Sequence, residues 1–185
     1  MAKEVQTTLE QTALIKKSEI SLSLDTYDDI FSDFDPRPFS QRALSDDFLL
    51  EAKKASRDKT TGIELNFIIP KTVRKSSEEL LIKKRLKEHF KRHYAIERTE
   101  VRNIRKFGGR LTSIGIVLMF LATFILFKFS QKDFLMTFLV VLLEPAGWFT
   151  FWEGLNQMVF EPRKHKEDLE FYRKMSSCEV NFFEY

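Results

Sequence analysis

Two long apolar runs toward the carboxyl end constrain the fold of this 185-residue chain more than any other feature. The first run, residues 111–129, reads LTSIGIVLMFLATFILFKF and carries one charged side chain, Lys128. As a helix it would extend roughly 28 Å, close to the hydrocarbon thickness of a bilayer. The second run, residues 134–160, follows after a connector short enough to join antiparallel neighbours. The pattern predicts transmembrane helices over residues 110–130 and 133–160, arranged as a hairpin.

The charged side chains are distributed unevenly around these runs. Residues 71–110 hold 14 Lys and Arg against 5 Asp and Glu, whereas residues 1–70 hold 9 against 13. Positive charge that flanks a membrane helix stays on the cytoplasmic side. We therefore predict a multi-pass protein of the plasma (inner) membrane with both termini in the cytoplasm. The basic segment beside a membrane span predicts contact with anionic lipid rather than with nucleic acid.

Glu144, Pro145 and Gly147 interrupt the second run near its middle. Pro145 cannot donate to the carbonyl of Val141, so the sequence predicts a kink or break there, or a chain that bends back. One hypothesis makes Glu144 a protonatable group in an ion pathway. The other, which we favour, makes it a neutral acid that hydrogen-bonds to freed backbone or to a neighbouring helix. No second titratable side chain lies at similar depth, so only other copies of the chain would supply a relay.

Small and aromatic side chains predict how the two helices pack and where they meet the membrane surface. Small residues at helical spacing on the first run predict a face for close helix packing. The residues of this face are Gly108, Thr112, Gly115 and Ala122. Trp148, Trp152 and Glu153 are predicted to lie at headgroup level as an interface belt.

Three segments outside the apolar runs alternate apolar and polar residues with a period of two, which is typical of half-buried strands. They lie near residues 19–25, 63–69 and 178–183. If they share one sheet, both ends of the hairpin lie on one side of the membrane, as the charges also require. The fold class predicted is an α+β membrane protein, in which a two-helix transmembrane hairpin carries a small cytoplasmic domain of about three strands and three helices.

Helix-capping signals complete the predicted division of the chain. Ser45 is the predicted N-cap of a helix that ends near Ser56, and the Ser76–Glu79 spacing predicts the start of a longer one. Gly108 and Gly109 predict a flexible joint before the first span. The predicted segments are a flexible or helical N-terminus (1–17), a cytoplasmic α/β segment (18–73), a basic juxtamembrane helix (74–109), the two spans (110–130, and 133–160 with a break at Pro145), and a cytoplasmic helix with a C-terminal strand (161–185).

Two clusters have the composition of metal ligands. An acidic loop between residues 25 and 39 offers five carboxylates, from Asp25, Asp28, Asp29, Asp33 and Asp35. Because it lacks the glycine and terminal glutamate of an EF-hand, we interpret it instead as a loop that faces the basic segment or solvent. His89, His93 and Glu97 stand four residues apart, but HFKRH lacks the glutamate of HExxH and predicts a solvated basic face.

Catalytic and disulfide signatures are missing from the sequence. The single cysteine, Cys178, excludes an internal disulfide framework and is typical of a reducing compartment. Phosphate-binding loops, nucleophile elbows and cysteine pairs do not occur in the sequence. We therefore predict a non-enzymatic protein without a cofactor. A third hypothesis is an enzyme with a metal in the aspartate loop.

The segments DDIFSDFDPRPFSQRALSDDF and EPAGWFTFWEGL, together with the order of segments, resemble uncharacterised families of small bacterial two-span membrane proteins with a cytoplasmic α/β segment. The resemblance implies no catalytic residues. The function expected from the residues is a self-associating scaffold or interaction module, a homo-oligomer anchored by its hairpin. The alternative is an oligomeric channel or proton-conducting protein that uses Glu144.

Overall fold

The computed structural model describes residues 19–59, 62–129 and 133–184. The elements in chain order are β1 (Glu19–Ser23), a 3-10 helix (Tyr27–Ile30), α1 (Asp46–Ser56), β2 (Glu64–Ile69), α2 (Ser76–Lys128), α3 (Phe134–Val159), a four-residue helix (Glu161–Lys164), α4 (Lys166–Ser176) and β3 (Glu179–Glu184). The chain divides into two compact units, one formed by residues up to Ala95 and from Leu169 onward, and the other by Ile96–Asp168. The prediction for residues 1–17, and the connector at 130–132, lie outside the described residues.

The three predicted strands form one parallel sheet in the order β1-β2-β3, so the α+β class is confirmed. Leu65 of the central strand is in register with Ile20 and Val180 on either side, and Phe67 is in register with Phe182. Parallel neighbours require crossover connections. The first crossover contains α1, and the second contains α2, α3 and α4. Both long apolar helices therefore belong to the connection between β2 and β3.

The core of the first unit lies between the apolar face of the sheet and three helices. Ile82, Leu86 and Phe90 recur at every fourth position of α2, and all three side chains are fully buried. Aromatic side chains make contacts between the elements. Phe48 of α1 packs on Phe67 of β2, and Phe90 of α2 packs edge-on against Phe171 of α4. Burial of each such side chain stabilises the fold by about 1.5–3 kcal/mol.

Helix α2 begins at Ser76, where the capping signal predicts it, and continues for 53 residues to Lys128. The predicted flexible joint at Gly108 and Gly109 is wrong, because the helix is uninterrupted there. The hydroxyls of Thr112 and Ser113, one helical turn later, donate to the carbonyls of these two glycines at 2.9 Å. The basic segment and the first apolar run are therefore one helix and not two.

Helix α3 contains Pro145 without ending at it, so the predicted break in secondary structure is absent. Proline removes a single intrahelical hydrogen bond, and the helix continues through Pro145 on both sides. The predicted helix after the second run is divided at His165 into the four-residue helix and α4. Helices α2 and α3 are long and apolar enough to cross a membrane, and only 11% of the most apolar stretch of each is buried within the chain.

Candidate functional site

Helices α2 and α3 approach each other closely through glycines. A Cβ atom at Gly115 would lie 2.5 Å from the backbone nitrogen of Phe151 and 2.7 Å from its Cα. A Cβ at Gly154 would overlap Thr112 and would lie 2.8 Å from the carbonyl oxygen of Gly108. Real Cβ atoms essentially never come this close to backbone. Only glycine therefore permits this helix–helix distance at Gly115 and Gly154.

The small residues predicted as a packing face all lie on the side of α2 that meets α3 or is buried. Gly108 and Thr112 lie against Gly154, Gly115 lies against Phe151, and Ala122 is buried. The face is thus occupied within the chain. A second copy of the protein would have to bind elsewhere on the hairpin.

Sequence reasoning missed the partner glycines on α3. It treated Gly147 as part of a kink and did not single out Gly154 at all. Both are buried, and a Cβ at Gly147 would lie 3.0 Å from the Met119 backbone nitrogen. The available signal was spacing, because Gly147 and Gly154 stand seven residues apart, as Gly108 and Gly115 do. Seven residues are two helical turns, so each pair lies on one face of its helix.

A cavity of about 250 Å³ lies between the end of α2 and the first half of α3, and Glu144 lines it. Thr137 is its other polar lining residue. The apolar lining residues are Ile125, Leu126, Phe129, Met136, Val140 and Val141. The Glu144 side chain is exposed, and it forms no hydrogen bond or ion pair with any residue of the described ranges 19–59, 62–129 and 133–184. A carboxylate without a partner therefore stands at the edge of an apolar cavity.

Glu153, the other acid of α3, is satisfied within its own helix. It accepts a hydrogen bond from Gln157 Nε2 at 2.8 Å. Trp148 and Trp152 point outward from the helix with their rings stacked 6.4 Å apart. The two acids of α3 therefore differ in kind, because only Glu144 lacks an intrachain partner among the described residues.

The aspartates of the acidic loop act locally. Asp35 accepts hydrogen bonds from the guanidinium of Arg37 and from the Ala43 backbone, and these hold the pKa of its carboxyl far below the usual range. Asp28 pairs with Arg42, and Asp29 accepts from the backbone of residues 25 and 26. Among the described residues of one chain, Asp28 and Asp35 therefore pair with arginines close to them in sequence and form no ion pair with the basic segment 71–110. Asp25 and Asp33 are exposed, and within the described residues the five aspartates do not converge as a set of metal ligands.

The interpretation of His89 and His93 as a solvated basic face is wrong for His89. Its ring lies 4.2 Å from that of His93, and Tyr172 of α4 stacks on His93 at 5.2 Å. His89 Nε2 is buried and has no hydrogen-bond partner in the described part of the chain. Burial, followed by the positive charges of His93 and nearby arginines, lowers the pKa of His89 to about 4. The ring is therefore neutral at pH 7 and belongs to the packing.

Two polar groups escaped sequence reasoning because each includes a contact between residues that are far apart in the chain. In the first unit, Glu79 accepts from Arg74 at 2.8 Å and from the Tyr27 hydroxyl at 3.1 Å. These bonds, with that from Arg74 the strongest, lower the pKa of Glu79. In the second unit, Glu97 contacts His165 at 3.3 Å, across 68 residues of sequence. A pairing between residues this far apart in one chain leaves no local pattern in the sequence.

Comparison with known protein families, with curated proteins and with solved structures found no match. The function must therefore be inferred from the geometry of the chain itself. The most unusual feature of the two apolar helical stretches is Glu144, which has no partner among the described residues.

Proposed function

We propose that the chain is an integral membrane protein whose α2–α3 hairpin crosses a bilayer. The support is the combination of strong apolar character with low burial, since the most apolar stretches of both helices are only 11% buried. The apolar helix of a soluble core is mostly buried, because exposed apolar surface is unfavourable in water. Lipid chains are a solvent in which the outward Phe, Leu and Ile side chains carry no such penalty.

The connectivity and the charges favour one orientation. The hairpin lies between β2 and β3, and these strands pair in one sheet. Both ends of a spanning hairpin must then lie on one side of the bilayer. The 14 basic residues of 71–110 favour the cytoplasmic side by retention of positive charge. They also favour contact with anionic lipid headgroups at that surface.

Within this membrane protein we assign Glu144 to self-association. Residue 144 is the eleventh of α3, about 15 Å from the helix start and near the middle of a bilayer about 30 Å thick. An exposed polar group at that depth is unfavourable unless it finds a hydrogen-bond partner. The described residues of the same chain supply none, and the glycine face is already occupied by α3. A second copy would supply both a carboxyl partner and apolar surface to cover the cavity beside Glu144.

The decisive observation is thus the unpartnered carboxylate of Glu144, and it leads to a scaffold built from several hairpins. The test is the mass of the particle in nanodiscs, measured for wild type, Glu144→Gln and Glu144→Leu. We expect a defined oligomer that the Leu variant dissociates, because leucine cannot hydrogen-bond across the interface. Glutamine keeps hydrogen-bonding capacity and is expected to retain part of the assembly.

Glu153→Gln is the matched control, because Glu153 lies on the same helix and already has a partner in Gln157. It should leave the particle mass unchanged. A monomeric wild type over a wide range of protein-to-lipid ratio would contradict the proposal. So would an oligomer whose mass is the same for wild type and Glu144→Leu.

The cavity supports a second candidate function, an ion- or proton-conducting oligomer. Glu144 and Thr137 line it together, so several copies would place a ring of polar groups at one depth. The test is proton flux in liposomes, with Glu144→Gln and Glu153→Gln compared at equal protein density. Flux that Glu144→Gln abolishes would favour a channel, and the absence of Glu144-dependent flux would leave the scaffold.

A further inference from the structure

Two carboxylates and an imidazole converge within the Ile96–Asp168 unit. Glu97 and Glu100 stand three residues apart on α2 and therefore share a face. His165 lies between the four-residue helix and α4. One ligand atom from each of the three side chains lies within 4.8 Å of the other two. Among the residues that the structure describes, this is the one place where three potential metal ligands meet.

The charge around the cluster differs from that of the rest of the basic segment. The other acids there are neutralised by neighbouring bases, in the pairs Glu78–Lys75, Glu79–Arg74 and Glu88–Lys84. Glu97 instead faces His165, and Glu100 has no hydrogen bond or ion pair with any described residue. With a neutral imidazole the group carries two negative charges. A divalent cation would neutralise them.

The separation between two of the three ligand atoms matches that around a small tetrahedral ion. Ligand atoms about 2.0–2.2 Å from a zinc ion lie roughly 3.3–3.5 Å from one another. His165 Nδ1 and Glu97 Oε2 are already 3.3 Å apart, and their side chains are only 28% and 20% exposed. Glu100 is exposed, and its nearest carboxylate oxygen lies within 4.8 Å of the ligand atoms of the other two residues. His165 and Glu97, the two more buried side chains of the three, thus already have the separation that a zinc ion requires.

We propose that Glu97, Glu100 and His165 bind a divalent transition-metal ion of the zinc class. An imidazole nitrogen with two carboxylates suits zinc or its neighbours in the series, whereas calcium and magnesium prefer oxygen ligands alone. Three protein ligands leave a coordination position for water. The bound ion ties α2 to the segment that follows α3, and so holds the open end of the helix pair together.

The test is metal binding by the full-length chain in detergent, purified without a polyhistidine tag. Zinc is titrated calorimetrically, and cobalt is added as a spectroscopic probe because its visible bands report tetrahedral coordination. We expect one zinc per chain in the wild type. His165→Asn and Glu100→Gln should each weaken zinc binding at least about tenfold, since even residues behind the ligands change affinity by 10–100-fold.

Two control variants guard against other sites and against misfolding. His93→Gln tests the His89–His93 pair, and Glu161→Gln tests a carboxylate close in sequence to His165 that already pairs with Lys164. Both should bind zinc as the wild type does. Tryptophan fluorescence of each variant, which reports on α3, checks that the hairpin is folded. A wild type that binds no zinc, or binding that His93→Gln removes and His165→Asn leaves intact, would overturn the assignment.

Discussion

Replacement of Gly115 by alanine is the sharpest test of the helix pair. The new Cβ would lie 2.5 Å from the Phe151 nitrogen and 2.7 Å from its Cα, whereas carbon atoms in ordinary contact are about 3.5–4.0 Å apart. The backbone cannot rotate away, so the helices must separate by about 1 Å near this site. Overpacking of this kind costs about 1–3 kcal/mol. Alanine also favours the helix by about 0.5–1 kcal/mol relative to glycine, which leaves a net loss of up to about 2.5 kcal/mol.

Gly109→Ala is the matched control, because a Cβ at Gly109 would meet no neighbouring heavy atom within 4 Å. It has the same propensity gain without the overlap, so the difference between the two variants isolates the overpacking. Both tryptophans lie on α3, and their fluorescence during thermal unfolding in detergent reports on the helix pair. We expect Gly115→Ala to melt several degrees below Gly109→Ala, at about 2–4 °C per kcal/mol. Equal melting temperatures, or a more stable Gly115→Ala, would refute the close contact.

Three predictions concern the first unit. His89→Leu should flatten the pH dependence of thermal stability between pH 6.5 and 4. The wild-type His89 binds a proton more weakly in the folded state, so the wild type loses about 1–2 kcal/mol of stability as the pH falls across that window, after allowance for screening. An unchanged slope would show that His89 is solvated. Glu79→Gln should lower the free energy of unfolding by about 1–2 kcal/mol in urea titrations at pH 7, since Glu79 is only 7% exposed and loses a charge-assisted bond from Arg74. Because the pKa of Glu79 is lowered in the folded state, this difference should shrink as the pH falls below about 4.5, and a difference that grows instead would contradict the assignment. Burial raises the pKa of the Cys178 thiol to about 11, so alkylation at pH 8 should be roughly a hundredfold slower in native protein than in unfolded protein, and equal rates would place the thiol at the surface.

Local signals predicted the elements that depend on local physics. The alternation in the strand segments identified all three strands, and the serines at positions 45 and 76 marked helix starts to within a residue. The two apolar runs identified the helices that can cross a membrane. Local signals were wrong where packing overrides propensity. Gly108 and Gly109 suggested a joint, yet the helix continues because a neighbouring helix covers Gly108 and the hydroxyls of the next turn bond to both glycine carbonyls.

In the candidate sites too, the sequence identified single residues, and the structure decided which of them meet. Glu144 stood out in the sequence, because a carboxylate inside an apolar run is costly wherever that run is buried in lipid. That it has no partner among the described residues depends on which side of α3 faces α2, and only the structure decides this. The pairing of Asp35 with Arg37 and of Asp28 with Arg42 was likewise decided by distance in the folded loop.

By itself, the sequence determined the number and type of the long elements, since hydrophobic period, charge and capping act over a few residues. The tertiary structure alone decided which side chains meet across long separations. The parallel order of the sheet, the glycines of α3 that receive those of α2, and the approach of His165 to Glu97 all join segments that are distant in the chain. Such contacts form because whole elements pack against one another, and packing leaves no mark within the short windows in which sequence patterns are visible.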